Sequence, residues 1–515
     1  MARLPRQQEA LATFDYIVVL IMENRSFDNL LGYLYEPGTV PDGKRFEGVA
    51  GKVLSNPIPS YGDQAQRQVV PVHRGDVVDH PNPDPGEEFS HVNTQLYGTT
   101  LPASNRHKPA TQMEAPFNVP STLPVYAPMS GFVTDYIHTL QQTLGRPPTY
   151  EEYRIIMACF PPHVLPVFST LARQFAVCDH WHCAVPSQTF PNRAFFHAGS
   201  SSGLLVNDPV HRWYAHNTAE TLFDRLEAER ARGLSWKIYF HKSELFSYTG
   251  LIHHARLRQY AHSHFASMHR FFQDVRTGHL PRYALVEPRI LFNHNDMHPT
   301  TRVLRRTLHS SVVAGDLFIH QVYDAIRRSA SRHGNNFQNT LLVITFDEHG
   351  GCYDHVPPPT AVPPDPTHPE GQMGFRFDRL GVRVPTVLVS AYIEPGTVIN
   401  TPLQHTSILK TMSEKWDLGH FTARDKSATD IREAFNRVTP RGEADWPVTV
   451  PHPLHDARAT NSAQPLHPMQ RSFIELADRH DEKPELHRHE VHTVADAMRF
   501  LQRKKTPFAA GEQHN

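Results

Sequence analysis

Three short clusters in this 515-residue chain combine residue types that can do chemistry together. Glu23-Asn24 directly follows the apolar run at 16–22 (YIVVLIM). Asp347-Glu348 directly follows a second such run at 340–346 (TLLVITF), and two glycines after it let the backbone turn tightly against a ligand. Thr189 lies between them in sequence, in a Pro-bounded turn (VPSQTFPN) before a helix start, where free N–H groups attract an anion. Hard carboxylate and amide oxygens from two strand ends, with a hydroxyl between them, suit a divalent cation. Such an ion neutralises phosphate charge and lowers the pKa of a bound hydroxyl. Taken singly, each residue reads as a cap, an ion-pair partner or a turn residue. The repetition at the ends of core elements gives them weight, because ligands in open α/β sheets bind at the carboxyl edge.

Histidine supplies a second group. The segment HNDMHP at 294–299 places His294 and His298 around Asp296, while His349 and His355 flank the Asp347 turn. An imidazole can pass a proton to a leaving group or hold a phosphoryl oxygen. With 36 histidines in the chain, most must be ordinary; His298 and His355 are the stronger candidates, His294 a weaker one.

The elements that must position these residues alternate. Unbroken apolar runs at 16–22, 340–346 and 384–390 read as buried strands of a mainly parallel sheet, and 235–240 as a further strand. Amphipathic patterns predict helices over 151–176, 219–230 and 313–329, and a helix opening after Thr189. This is an α/β pattern. Residues 36–125 carry little periodicity and read as a long irregular excursion. From about 436 the chain turns polar and rich in His and Pro, with short helix candidates at 470–478 and 492–502. The division expected is a catalytic domain over 1–435 and a C-terminal extension over 436–515.

Composition excludes several classes. With 51 Lys+Arg against 52 Asp+Glu the chain is not a polybasic nucleic-acid binder. Four cysteines make no disulfide scaffold, and Cys178 and Cys183 read either as a bridge or as two buried thiols. The first residues lack a convincing signal-peptide pattern, which leaves the compartment undetermined. The P-loop, the nucleotide-binding glycine fingerprint, HExxH, zinc-finger spacing and the G-x-S-x-G elbow are all absent.

Seven segments, in order, resemble blocks of one family. They are MENRSFDNLLGYL at 22–34, MSGFVTDY at 129–136, the stretch 171–203 around PSQTFPNR, HNDMHP at 294–299, ITFDEHGGCYDHVPPP at 344–359, RVPTVLVSAYIEPGTV at 383–398 and HTSILK at 405–410. The family is the bacterial phospholipase C and acid phosphatase phosphoesterases, related in fold to alkaline phosphatase. The resemblance implies an alkaline-phosphatase-like α/β core with a largely parallel central sheet flanked by helices and long loop insertions. It implies one divalent metal ion (Zn, Ca, Mg or Mn) held by Glu23, Asn24, Thr189, Asp347 and Glu348. Thr189 would be the nucleophile, attacking phosphorus in line to form a phosphothreonine. His298, His355 and more weakly His294 would hold or protonate ester oxygens. The substrate would be a phospholipid, with transient contact to a membrane surface, or a small phosphoester.

One departure bears on substrate. The family often carries a histidine in the early loop where DPGEE at 84–88 places Glu87. A carboxylate there repels a phosphomonoester dianion more than a diester monoanion, unless it binds a cation instead. His91, four residues on, is a candidate replacement for the imidazole. Phospholipid diester cleavage is the reading favoured here; the alternatives are an acid phosphatase acting on monoesters and an inactive phosphate- or lipid-binding protein.

Overall fold

A computed structural model describes residues 10–453, apart from 245, 292, 304, 305 and 309, together with Asp496. The apolar runs become strands because both of their faces are covered. Eight strands form one sheet: β1 (Tyr16–Met22), β2 (Ala176–Cys178), β3 (Trp236–Phe240), β4 (Phe265–Ser267), β5 (Tyr283–Val286), β6 (Thr340–Phe346), β7 (Thr386–Val389) and β8 (Thr397–Ile399). Their order across the sheet is β8-β2-β7-β6-β1-β5-β3-β4. Strand β7 runs antiparallel to β6 and β2, while the remaining pairs are parallel. Every residue of β6 is buried, as is β1 from Ile17 onward. This is the α/β architecture expected of an alkaline-phosphatase-like core, with a mostly parallel sheet.

The helices used below are α1 (Phe27–Leu31), α2 (Phe89–Tyr97), α3 (Phe132–Leu144), α4 (Pro166–Gln174), α5 (Thr189–Ala198), α6 (Leu222–Ala228), α7 (Val312–Arg327) and α8 (Thr406–Trp416). Helix α7 packs on α4, and α8 on α5. The first pair is locked by Asp316 of α7, whose carboxylate accepts the backbone N–H groups of Val167 (3.1 Å) and Phe168 (2.8 Å) at the start of α4. No helix among the described residues is long and apolar enough to cross a membrane.

Three features differ from the sequence pattern. The span 151–176 is not one helix: a turn at Tyr150–Tyr153 passes through a 3-10 segment and the short strand Ala158–Cys159 before α4 begins. Pro161 and Pro162 would each remove an intrahelical N–H, and the helix restarts with Pro166 in its first turn, where that loss costs nothing. The irregular excursion contains α2, where Phe89, Val92 and Leu96 recur at helical spacing but are interleaved with buried polar residues. Asn93, Thr94 and Gln95 are buried and hydrogen-bonded to Phe117, Asn118 and Asp135 respectively. All four cysteines, Cys178 and Cys183 included, are free and buried.

Within residues 436–453, Trp446 stacks on Tyr323 and lies edge-on to Phe175. The helix candidates at 470–478 and 492–502 fall outside the described residues, Asp496 excepted.

Register decides what meets at the edge of the sheet. Met22 of β1 lies opposite Phe346 of β6, so Glu23-Asn24 and Asp347-Glu348 leave the sheet side by side. Behind them Arg383, wholly buried, ties the two exits together. Its guanidinium donates to Asp28 Oδ1 (2.8 Å) in α1 and Asp354 Oδ1 (2.9 Å) past the β6 turn, and lies over the Phe27 ring. Removing one partner of a buried ion pair strands the others. Arg383→Met is therefore expected to lower the unfolding free energy by about 3–5 kcal/mol in a denaturant titration; a loss below about 1 kcal/mol would show that this cluster does not hold the two loops.

Candidate active site at the carboxyl edge of the sheet

Glu23 and Asn24 extend β1 into a loop that reverses at once, with Asn24 in a left-handed conformation (φ 54°). The Asn24 N–H donates to Asp347 Oδ1 at 3.1 Å, and the Glu348 N–H donates to the same oxygen at 2.7 Å. The two exits approach so closely that a Cβ on Gly350 would lie 2.3 Å from the Asn24 carbonyl oxygen, so the position excludes a side chain. Gly350 N–H in turn donates to Glu348 Oε2 at 2.7 Å.

Thr189 stands at the start of α5, with its Oγ1 donating to Glu23 Oε2 at 3.3 Å. One turn further along the helix, the Arg193 guanidinium lies between the carboxylates, donating to Glu23 Oε1 and, at 3.4 Å, to Asp347 Oδ2. Sequence reading missed Arg193. The signal was available in its spacing, since residues i and i+4 share a helix face. It also missed Gln188, whose amide donates to Glu87 Oε1 at 3.3 Å.

Glu87 turns into the same pocket. Its Oε2 accepts from Asn24 Nδ2, which also lies 3.0 Å from His298 Nε2. The His298 ring is held by its Nδ1 against the Pro299 carbonyl oxygen at 2.8 Å. His294 is one step removed: it pairs with Asp296 at 3.0 Å, and the Asp296 carbonyl accepts the Glu23 N–H at 2.9 Å. His355 is not brought into the pocket. Its Nδ1 is 2.6 Å from Asp28 and its Nε2 2.9 Å from Glu47, within the Arg383 cluster. His91 does not take the place of an active-site imidazole either. It pairs with Asp135 at 2.8 Å and supports the Glu87 turn from below, so close that a Cβ on Gly86 would lie 2.3 Å from its ring.

The electrostatics follow from burial. Desolvation drives the Glu23 carboxyl well above the ordinary carboxylate range, with Arg193 opposing and Asp347 and Asp296 adding to the rise. Burial, then the charges of Glu87 and Asp347, raise Glu348 in the same way. Glu87 is pushed up to about 8 by burial and by Glu88, and Asp84 to about 8 by burial, with His298 opposing. Four carboxylates, those of Glu23, Glu87, Asp347 and Glu348, line the pocket with the one guanidinium of Arg193. Asn24 Oδ1 and Glu348 Oε1 are buried without a hydrogen-bond partner among the described residues. An all-oxygen donor set with excess negative charge and open lone pairs fits a hard divalent cation.

This arrangement, an α/β sheet delivering carboxylates and a helix-borne hydroxyl to one buried edge, is that of a phosphoester-hydrolase class. The chain belongs to the Phosphoesterase family, whose model matches residues 14–419. It is 33% identical to Non-specific phospholipase C3 of Arabidopsis thaliana over 455 residues, covering 84% of this chain and 75% of that protein. It is 25% identical to Phospholipase C B of Mycobacterium tuberculosis, over 84% and 79% of the two chains. Among solved structures, an alkaline phosphatase superfamily protein from Vibrio parahaemolyticus aligns over 52% of this chain and 65% of its own, with 12% identity and a TM-score of 0.30.

The support beneath Glu87 has a pH signature. Burial works to lower the His91 pKa, but Asp135, by charge and hydrogen bond, and then Glu88 overcome it and hold the imidazolium up to about 9. A folded value above the ordinary 6.5 stabilises the fold fully below pH 6.5, and the contribution fades as pH rises through about 9. His91→Gln is expected to cost about 3 kcal/mol of unfolding free energy at the acidic end. The gap to the unmodified protein should narrow across that window, measured by urea titration at a series of pH values.

Proposed function

We propose that this chain is a phosphodiesterase of the phospholipase C type, cleaving a phospholipid between phosphorus and the glycerol oxygen through a phosphothreonine at Thr189. The observation that carries the reading is the contact of Thr189 Oγ1 with Glu23 Oε2 at 3.3 Å, in the first turn of a helix aimed at the carboxylate cluster. The names of the relatives at 33% and 25% identity, both phospholipases C, support a lipid diester over a monoester.

One divalent cation held by Glu23, Asn24, Asp347 and Glu348 would supply positive charge against the phosphoryl oxygens and acidify the threonine hydroxyl. The side chains do the rest. Glu23 Oε2, which accepts the Thr189 hydroxyl at 3.3 Å, receives the proton on Thr189 Oγ1. The Oγ1–P bond forms as the bond from phosphorus to the glycerol oxygen breaks, and that oxygen takes a proton from water. The hydroxide that this water leaves behind then attacks phosphorus, the P–Oγ1 bond breaks, and Glu23 returns the proton to Thr189. Arg193 keeps Glu23 and Asp347 in place through both steps. Asn24, Glu87 and His298 form a wall that holds an ester oxygen. A phospholipid substrate brings the chain into transient contact with a membrane surface.

Thr189→Ala is expected to reduce kcat on phosphatidylcholine by about 10⁴-fold or more, with the protein still folded because only the hydroxyl and one methyl group are lost. Thr189→Ser should retain turnover. Near-normal kcat in the Ala variant would remove covalent catalysis by this residue. A panel of phosphatidylcholine, its monoester analogue and an aryl phosphate tests the substrate class, and faster turnover of the aryl phosphate would overturn the diester assignment.

A further inference from the structure

We propose that Asp84, Glu87 and His298 form a second divalent-cation site, adjacent to the one assigned to Glu23, Asn24, Asp347 and Glu348. One ligating atom from each of the three side chains lies within 4.8 Å of the others. A mixed carboxylate–imidazole set of this kind suits Mn²⁺ or Zn²⁺.

One amide stands between the ligands: Asn24 Nδ2 donates to Glu87 Oε2 and lies 3.0 Å from His298 Nε2, so a cation takes the place of that N–H. His298 Nδ1 is 2.8 Å from the Pro299 carbonyl, which can only accept, so Nδ1 carries the proton and Nε2 presents a lone pair. Asn24 Nδ2, 3.0 Å away, donates to that lone pair, in agreement with this tautomer. Asp84 Oδ1 is buried with no hydrogen-bond partner among the described residues. Asn24 is wholly buried, its amide touches both Glu87 and His298, and the oxygen of that amide is also without a partner.

A second cluster in the molecule shows what a satisfied set looks like. Asp28, Asp354 and His355 are equally close to one another. There Arg383 donates to both carboxylates, His355 takes the other Asp28 oxygen at 2.6 Å, and the Asp28 N–H takes the other Asp354 oxygen at 3.1 Å. In the Asp84 cluster no Lys or Arg forms an ion pair with either carboxylate among the described residues, so a cation completes the charge. The consequence rests on the function proposed above. His298 holds the ester oxygen through the cation rather than through its own N–H, and Glu87 is neutralised as a ligand instead of repelling phosphate.

The test uses the full chain, stripped with a chelator and reloaded with Mn²⁺, with metal counted by elemental analysis and examined by electron paramagnetic resonance. Two Mn²⁺ per chain with an exchange-coupled spectrum are expected. Asp84→Asn should fall to one ion per chain and lose the coupling, and Glu87→Gln should do the same if Asp84→Asn fails to fold. One Mn²⁺ per chain in the unmodified protein overturns the proposal, as does a folded Asp84→Asn variant that keeps two. Turnover of phosphatidylcholine on the same samples separates the two claims. An inactive chain with two ions leaves the second site standing and overturns the proposed function, whereas an active chain with one ion does the reverse.

Discussion

Burying like charges together is the constraint around which this molecule is built. Glu23, Asp347, Glu348 and Glu87 converge on one pocket from which solvent is nearly excluded. Each pays a desolvation cost, and each raises the cost of ionising its neighbours. The fold offsets this locally in two ways. Arg193 supplies a guanidinium between Glu23 and Asp347. Backbone N–H groups of Asn24 and Glu348 converge on Asp347, and that of Gly350 on Glu348. The oxygens left over, on Asn24 and Glu348, mark where compensation within the chain stops.

Two polar networks hold the loops that carry these groups. On one side Arg383 joins α1 to the segment after β6, with Asp28, Asp354, His355 and Glu47 around it. On the other, Gln95 of α2 accepts from or donates to His349, Asp135 and the Gly86 carbonyl, so the neighbour of Glu348 and the turn bearing Glu87 share one anchor. His91 closes that network against Asp135. Buried polar networks fix geometry more narrowly than apolar packing, because each member is costly in any other position. That suits a pocket whose groups must stay in place against mutual repulsion.

The abundance of histidine acquires a structural explanation in the same terms. His182, His253 and His349 are pushed down to about 3 by burial, and His405 to about 4, so they serve as neutral hydrogen-bonding and packing groups. His405 reaches the Asp347 carbonyl at 2.6 Å and Trp181 at 3.2 Å, which fixes the exit of β6 without adding charge to it. These four histidines belong to the frame rather than to the chemistry.

The sequence by itself determined the parts that depend on local pattern. Short unbroken runs rich in Val and Ile read as strands covered on both faces, so β1 and β6 were legible residue by residue, and with them the clusters at their ends. A helix after Thr189 was legible from the Pro-bounded turn, and the structure starts it at Thr189 itself. Tertiary structure decided whatever depends on which surfaces meet. Register places Met22 beside Phe346 and so brings Glu23 and Asp347 to one point. Helix α2 is short and buried almost all round, so the spacing of Phe89, Val92 and Leu96 is interrupted by Asn93, Thr94 and Gln95, polar groups that only tertiary partners satisfy. Histidines of identical type were sorted by partners far away in sequence: His298 toward Asn24, His355 toward Asp28, His91 toward Asp135. Residue type and spacing state what a side chain can do; its role follows from the charge it is buried against, and that is set only when the chain has closed on itself.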